Sequence, residues 1–442
     1  VITTLQRLLR AADVRFVRLL WCDNAGVVRA KAAHVDDTAS LSGGIPVALA
    51  QMAVPVTADV VVDGAGLTPV GEAVLCPDWS TLAVLTHAPG HAHVACDLTV
   101  GGRPWDHCPR ALVRQQVAAL AGLGLEVRAS FENEFVLLRR GPTGLVAVDD
   151  APYATTGRLN AHASLLADLA DAVAAHGMAV EHLHAESGPG QVELTVDPAD
   201  PLTAADRQVA YRECVRGVAP RHGLVGSFLP VLTEGAAGSG CHLNLSLWRG
   251  GEDVTGSRTR ETALSPEAEA FVAGVLHHLP GLCALTLAST NSYRRVRPHH
   301  WAGAFTAWGR GNREAAVRVT TAPDGAAARL ELKASDATAN PHLALGAVLA
   351  AGADGVRRGL APPPEVVVDP GTLGDVARRE AGVEPLPADL GAALERLRQD
   401  EVLLEALGSE RARAYLAVKD AEWDALNGLS LAEEAALLAE RY

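Results

Sequence analysis

No Cys-x-x-Cys pair occurs in the 442 residues; the seven cysteines stand singly at 22, 76, 96, 108, 214, 241 and 283. An odd, scattered set in so long a chain disfavours both a disulfide framework and a cysteine-built structural zinc site. Basic charge is short as well, with 38 Lys and Arg against 52 Asp and Glu and a formal net charge of -14. Nonspecific nucleic-acid binding runs on phosphate neutralisation by cations, so no nucleic-acid partner is expected, although a local arginine pocket for one small anion stays open. The first residues, VITTLQRLLRAADV, lack the cationic start and apolar core of a secretory signal. Apolar runs are broken by Pro, Gly or charge before they reach a membrane span, which predicts a cytoplasmic protein with no membrane partner. Neither G-x-x-x-x-G-K-[ST] nor a G-x-G-x-x-G after a strand is present, so any nucleotide needs a different holder.

What is present is a folded composition, 48% hydrophobic and long enough for two domains. Residues 14–33 read as a hairpin around D-N-A-G. Short strand candidates continue to about residue 100, which suggests a small mixed or antiparallel first domain. Pro109 then opens a helix. Beyond it, strand candidates at 125–138, 179–185, 191–196, 241–248, 315–320 and 329–333 alternate with helical stretches at 159–176, 203–219, 265–278 and 341–356. A larger α+β domain with a substantial sheet is expected, followed by a mostly helical tail from 385 to 438.

Chemistry gathers in a few short segments of that second region. Glu132 and Glu134 in S-F-E-N-E-F project from one face of a period-two strand whose neighbours are apolar. Two like charges on a core strand call for a metal or cationic partners; the alternative is an edge strand with a solvated acidic face. Glu186 and Glu193 flank S-G-P-G, which can bend both carboxylates toward one cavity. His184 nearby reads more readily as an ordinary paired histidine. His242 shares a face with Asn244 and Ser246 after two glycines, and taken alone it reads as either a structural histidine or a ligand. Glu331 follows in R-L-E-L-K, with Asp336 just beyond. One imidazole among carboxylates suits Mg²⁺ or Mn²⁺ better than structural zinc. Of the arginines at 294, 295, 297, 310, 313 and 318, Arg313 and Arg318 lie in the most apolar run and are expected to point inward, toward carboxylate or phosphate oxygens.

In order and spacing, E-N-E-F, E-S-G-P-G-Q-V-E, G-S-G-C-H-L-N, N-S-Y-R-R-V-R-P, G-N-R-E-A-A-V-R and L-E-L-K-A-S-D-A-T-A-N-P-H-L make the chain resemble the glutamine synthetase family from about residue 13 onward. The resemblance implies a β-grasp domain over 1–104 and a catalytic domain over 105–442 with a large curved antiparallel sheet. It also implies a homo-oligomer, a dodecamer of two stacked hexameric rings, with small-molecule substrates. By the same resemblance Glu134, Glu186 and Glu193 would hold one Mg²⁺ or Mn²⁺ and Glu132, His242 and Glu331 a second. Arg295, Gly238 and Lys333 would serve the amino-acid substrate, Asn244 and Ser246 the nucleotide, and Arg313 and Arg318 the ATP phosphates and the acyl phosphate.

Four departures gather on the amine and amino-acid side. The family's flap glutamate falls on Trp301, its N-terminal F-D-G-S-S motif is not recognisable, the asparagine of N-G-S-G becomes Ala237, and a substrate arginine becomes Lys333. An ATP-dependent carboxylate–amine ligase is therefore expected, joining the γ-carboxylate of glutamate to an amine other than ammonia, with Trp301 covering the amine and His299 or His300 as base. The divergent branch with γ-glutamyl-amine ligases and FluG-type synthetase domains fits W-A-G-A-F-T-A-W-G. An ordinary glutamine synthetase, a non-catalytic homologue and a nitrogen-acceptor phosphotransferase are the alternatives.

Overall fold

In the computed structural model, which describes residues 2–142 and 144–442, an N-terminal helix Ile2–Ala11 precedes the first sheet. That sheet is built from β1 (Phe16–Cys22), β2 (Val28–His34), β3 (Ile45–Ala48), β4 (Glu72–Pro77), β5 (Ala83–Val84), β6 (His91–Val100) and β7 (Arg103–Pro104). Its main order is β2-β1-β6-β4-β3, and β1 runs parallel to β6. The expected hairpin is there, with Cys22 opposite Val28 across D-N-A-G. Valines and leucines of β1, β4 and β6 form a core of their own against the first helix.

The second sheet has ten strands. They are β8 (Glu126–Gly141), β9 (Gly144–Ala147), β10 (Val180–Ala185), β11 (Gln191–Val196), β12 (Val225–Ser227), β13 (Cys241–Arg249), β14 (Glu252–Asp253), β15 (Trp308–Arg310), β16 (Val317–Thr321) and β17 (Ala327–Leu332). The main path is β10-β11-β8-β13-β17-β16-β15, antiparallel until the last pair, where β15 and β16 run parallel. This is the α+β architecture expected, a small first domain followed by a large curved sheet backed by helices.

Period-two alternation sets the two faces of this sheet. Phe131 and Phe135 of β8, Val192 and Leu194 of β11, Leu243 and Leu245 of β13, Val317 of β16 and Leu330 of β17 all enter one core. Behind them pack the helices Pro201–Val218, Pro266–Thr286 and Pro341–Arg358, each with Pro in its first turn. Asp200, Ser265 and Asn340 cap them by accepting from backbone N–H groups, a start that satisfies donors the helix itself cannot. The helix expected to stop near 278 continues to Thr286 through Pro280. Leu279, Leu282, Cys283 and Leu285 are buried in the core, and that burial outweighs the hydrogen bond Pro280 cannot make. The expected helix at 159–176 is divided at His162 into Thr156–Ala161 and Ala163–Ala174. Pro266–Thr286 is long and apolar enough to cross a membrane by composition, contrary to expectation, but 83% of its most apolar window is buried inside the protein.

The two sheets meet at the tip of the first hairpin. Asn340 Nδ2 donates to the carbonyls of Cys22 and Asp23, at 3.0 and 3.1 Å, while its Oδ1 caps the helix behind. Gly26 has a φ of +84°, and a Cβ there would stand 2.0 Å from the Thr338 carbonyl, so only glycine lets the turn sit this close. Asn340→Ala removes a helix cap and both bonds to the hairpin. It is expected to lower stability by about 1–3 kcal/mol in denaturant unfolding.

Candidate active site

The face opposite the core carries the polar members of the same strands. Glu193 pairs with Glu134, Glu132 with His242, and Asn244 with Glu331, which in turn faces Arg318. Four antiparallel pairings thus draw residues nearly two hundred positions apart into one diagonal row. It borders a cavity of about 200 Å³ lined by Glu132, Glu186, Glu193, Asn244, Arg313 and Arg318, among others. Arg313 and Arg318 do point inward, whereas Arg294 is tied to Glu434 and Arg310 to Glu365.

Two groups converge closely enough to share an ion. Glu132, His242 and Glu331 form one, and His184, Glu186 and Glu193 the other, with candidate donor atoms in each within 4.8 Å of one another. In the first, His242 Nδ1 lies 3.3 Å from both Glu132 and Glu331, and Asn244 Nδ2 donates to Glu132 at 3.1 Å. Glu331 is fully buried, 2.6 Å from Arg318 Nε and 3.4 Å from Lys333 Nζ. In the second, His184 Nε2 lies 2.8 Å from Glu186 and Nδ1 3.9 Å from Glu193. His184 is therefore a paired histidine, and its partners belong to the site. Glu134, expected here, stays outside the trio because Gln191 Nε2 and the Gly240 N–H both donate to its Oε2 at 2.9 Å.

Electrostatics differ sharply along the row. Burial pushes Glu193 up to about 9, reinforced by Glu132, Glu134, Glu186 and Glu331. Burial opposes ionisation of Glu132 too, but His242 and the Asn244 amide outweigh it and hold the carboxyl down at about 2. Glu331 is likewise held well below the usual range, against its burial, by His242, Lys333 and Arg318. The His242 Nε2 is buried without a partner among the described residues. Carboxylate-rich donors, one imidazole per group, and a carboxyl that only added positive charge would ionise suit a hard divalent cation such as Mg²⁺ or Mn²⁺.

A second, smaller cavity is lined by Gly238, Arg294, Arg295, Arg297 and His300. Arg295 is buried, donates to the Lys333 and Ser335 carbonyls at 3.1 and 2.9 Å, and among the described residues has no hydrogen-bond partner at its Nε. Lys333 turns to Glu331 instead. His299 Nδ1 is engaged by Asp369 at 2.6 Å, which leaves His300 as the histidine on the cavity wall. Trp301 is 55% exposed. Ser246, expected near the nucleotide, accepts from Trp248 Nε1 at 2.9 Å and is not among the cavity residues. Asp336 serves the turn after β17, accepting from the Thr338 N–H and hydroxyl at 3.0 and 2.6 Å. Sequence reasoning missed Gln191, whose amide also bridges Gly188, Gly238 and Ser239, and Arg329 on the cavity wall. The Q-V-E-L alternation puts Gln191 on the face of Glu193 and was the available signal.

Comparison with known proteins gives a consistent set of similarities. The family model described as glutamine synthetase, catalytic domain, matches residues 106–435. A gamma-glutamylpolyamine synthetase, GlnA3, from Streptomyces coelicolor is 39% identical over 97% of this chain and 93% of that protein. A glutamine synthetase from Thermus thermophilus is 34% identical over 94% of each. Among solved structures, a novel glutamine synthase homolog superposes with a TM-score of 0.85 at 34% identity, covering 97% of this chain and 99% of that one. An ADP complex of GmaS gives 0.85 at 28% identity, covering 97% and 98%.

The Glu193 carboxyl is mostly protonated at neutral pH, so a divalent cation bound there must displace its proton. Calorimetric titration of Mg²⁺ or Mn²⁺ at pH 7 in buffers of different ionisation enthalpy is expected to show net proton release on binding, reduced in Glu193→Ala. The same shift has a sign for stability. Glu193 is raised from 4.5 to about 9 on folding, so its contribution in the metal-free protein falls as pH rises between those limits.

Proposed function

Because this chain belongs to the glutamine synthetase family of carbon–nitrogen ligases, we propose that it joins the γ-carboxylate of glutamate to an amine other than ammonia, at the expense of ATP. A polyamine is the favoured nucleophile. The observation that carries this reading is an asymmetry: the acidic row and the arginines Arg313 and Arg318 line one cavity, while the flap position holds Trp301. The relation to a gamma-glutamylpolyamine synthetase supports the choice of amine.

In this reading Glu132, His242 and Glu331 would hold one divalent cation, and Glu134, Glu186 and Glu193 would hold the other. The cations neutralise charge on the phosphates during transfer. Arg295 grips the α-carboxylate of glutamate beside Gly238. Arg313 and Arg318 draw the γ-phosphoryl group toward the substrate carboxylate, while Asn244 flanks the nucleotide. Attack by a carboxylate oxygen breaks the bond to ADP and gives γ-glutamyl phosphate. The amine nitrogen then adds to the acyl carbon, inorganic phosphate leaves with the C–O bond electrons, and His300 accepts the amine's proton. The indole of Trp301 covers the alkyl chain, and a cationic amine over its face gains about 0.5–2 kcal/mol. A boundary at 104/105, a dodecamer of two stacked hexameric rings and a cytoplasmic location complete the proposal; light scattering that finds only monomer at micromolar concentration would count against the ring.

Phosphate release with ATP, Mg²⁺ and glutamate, measured across ammonium, ethanolamine, monoamines and polyamines, tests the function. Polyamines are expected to be best, and Trp301→Glu should shift preference toward ammonium. Ammonium as the best nucleophile of the wild type would establish an ordinary glutamine synthetase instead, and a phosphorylated acceptor would establish a kinase. Glu132→Ala and Glu193→Ala are each expected to lower turnover by roughly a hundredfold or more, since each removes a cation ligand.

A further inference from the structure

The loop over residues 298–303 joins the short Ser292–Arg295 helix to the stretch leading into β15, and it holds two non-glycine residues in the left-handed region. His299 has a φ of +64° and Trp301 a φ of +56°. An indole-bearing residue in that conformation is uncommon and persists only where its surroundings determine it. The determinant of Trp301 is visible: its backbone N–H donates to Glu314 Oε1 at 2.8 Å. Glu314 is only 8% exposed and, among the described residues, forms no ion pair. The His299 backbone N–H also turns to this carboxylate, and a buried carboxylate spent on the two strained amides of one loop is costly unless they must stay where they are.

Glu314 is itself held in place. Its N–H donates to Asn312 Oδ1 at 3.0 Å, and Asn312 Nδ2 donates to the Val366 and Val368 carbonyls at 2.8 and 2.9 Å. The same 366–369 segment supplies Asp369, which engages the His299 ring at 2.6 Å. A Cβ on Gly303 would come within 2.8 Å of Ala316 Cα, so the end of the loop packs directly on the backbone that leads into β16. The loop is thus fastened from beneath at Trp301 and from the side at His299. His300, between those two points, faces the cavity shared with Arg295.

We propose that Glu314 is a positioning residue for amine selection: its carboxylate latches the backbone of Trp301 and fixes the indole over the amine side of the site. The carboxylate missing from the loop itself acts on it from below, through the backbone rather than through the substrate. Selection then comes from the shape of a preset indole shelf. This rests on the reading of that side as the amine side.

The test uses the full chain with Glu314→Ala and Glu314→Gln, the second retaining an oxygen that accepts the Trp301 N–H. Two measurements are made. Chymotryptic cleavage after Trp301 reports the loop without any turnover: Glu314→Ala is expected to speed it at least about tenfold, and Glu314→Gln to stay near wild type. Steady-state kinetics with the best amine should show KM for the amine raised about tenfold in Glu314→Ala, with KM for ATP and kcat within about twofold and Glu314→Gln restoring the wild-type value. Unchanged cleavage in Glu314→Ala would overturn the latch. Faster cleavage with an unchanged amine KM would overturn its role in selection. Failure of the amine-ligase reading is separable, because it would appear as no amine turnover in the wild type, and cleavage would still decide whether Glu314 holds the loop.

Discussion

Five glutamates on one face of one sheet, with too few cations among them, set the terms for the rest of the molecule. Like charges at this spacing repel, and the dry core behind the sheet removes the water that would screen them. Glu331 is resolved internally: fully buried, it sits against Arg318, Lys333 and His242. Glu193 is not: burial and the neighbouring Glu132, Glu134, Glu186 and Glu331 push its carboxyl up, which disfavours its charged form. The site is therefore built to be completed by a ligand.

That constraint explains the rigidity around it. Glu132, Glu134, Glu193 and Glu331 come from strands whose alternate residues are locked into an apolar core, so a shift of one residue would carry them into that core, while Glu186 follows directly on β10. Gln191 and Gly240 orient Glu134, and Asn244 orients Glu132. Helices capped by Asp200, Ser265 and Asn340 hold the sheet from behind, and Asn340 also fastens the first domain to it.

The two halves of the site are made of different material. Metal-suited and phosphate-facing residues lie mainly on strands, where register fixes them, whereas Gly238, His300 and Trp301 lie on connections. Connections can change residue type without disturbing a register. The divergence from the glutamine synthetase pattern falls largely on that second material, with Trp301 on a loop braced by Glu314 and Asp369.

The strands were legible because alternation of apolar and polar residues is local; Glu132, Glu134, Glu193, His242 and Glu331 all stand at the polar positions of such runs. Motif order carried the family, and Pro109 marked the start of the first long helix. What stayed hidden depends on long-range contact. Nothing local to H-H-L-P-G shows that the helix runs on to Thr286, since the burial that sustains it comes from distant elements. Nothing near Glu134 shows that Gln191 and Gly240 will claim its oxygen, or that His184 will stand with Glu186 and Glu193. Glu314 lies thirteen residues from the amide it accepts. The sequence by itself determined which residues share a face and which chemistry they suit, because side-chain direction follows backbone period. Only the tertiary structure decided which carboxylate meets which partner, because hydrogen bonds and pKa shifts depend on distances of a few ångströms between segments far apart in the chain.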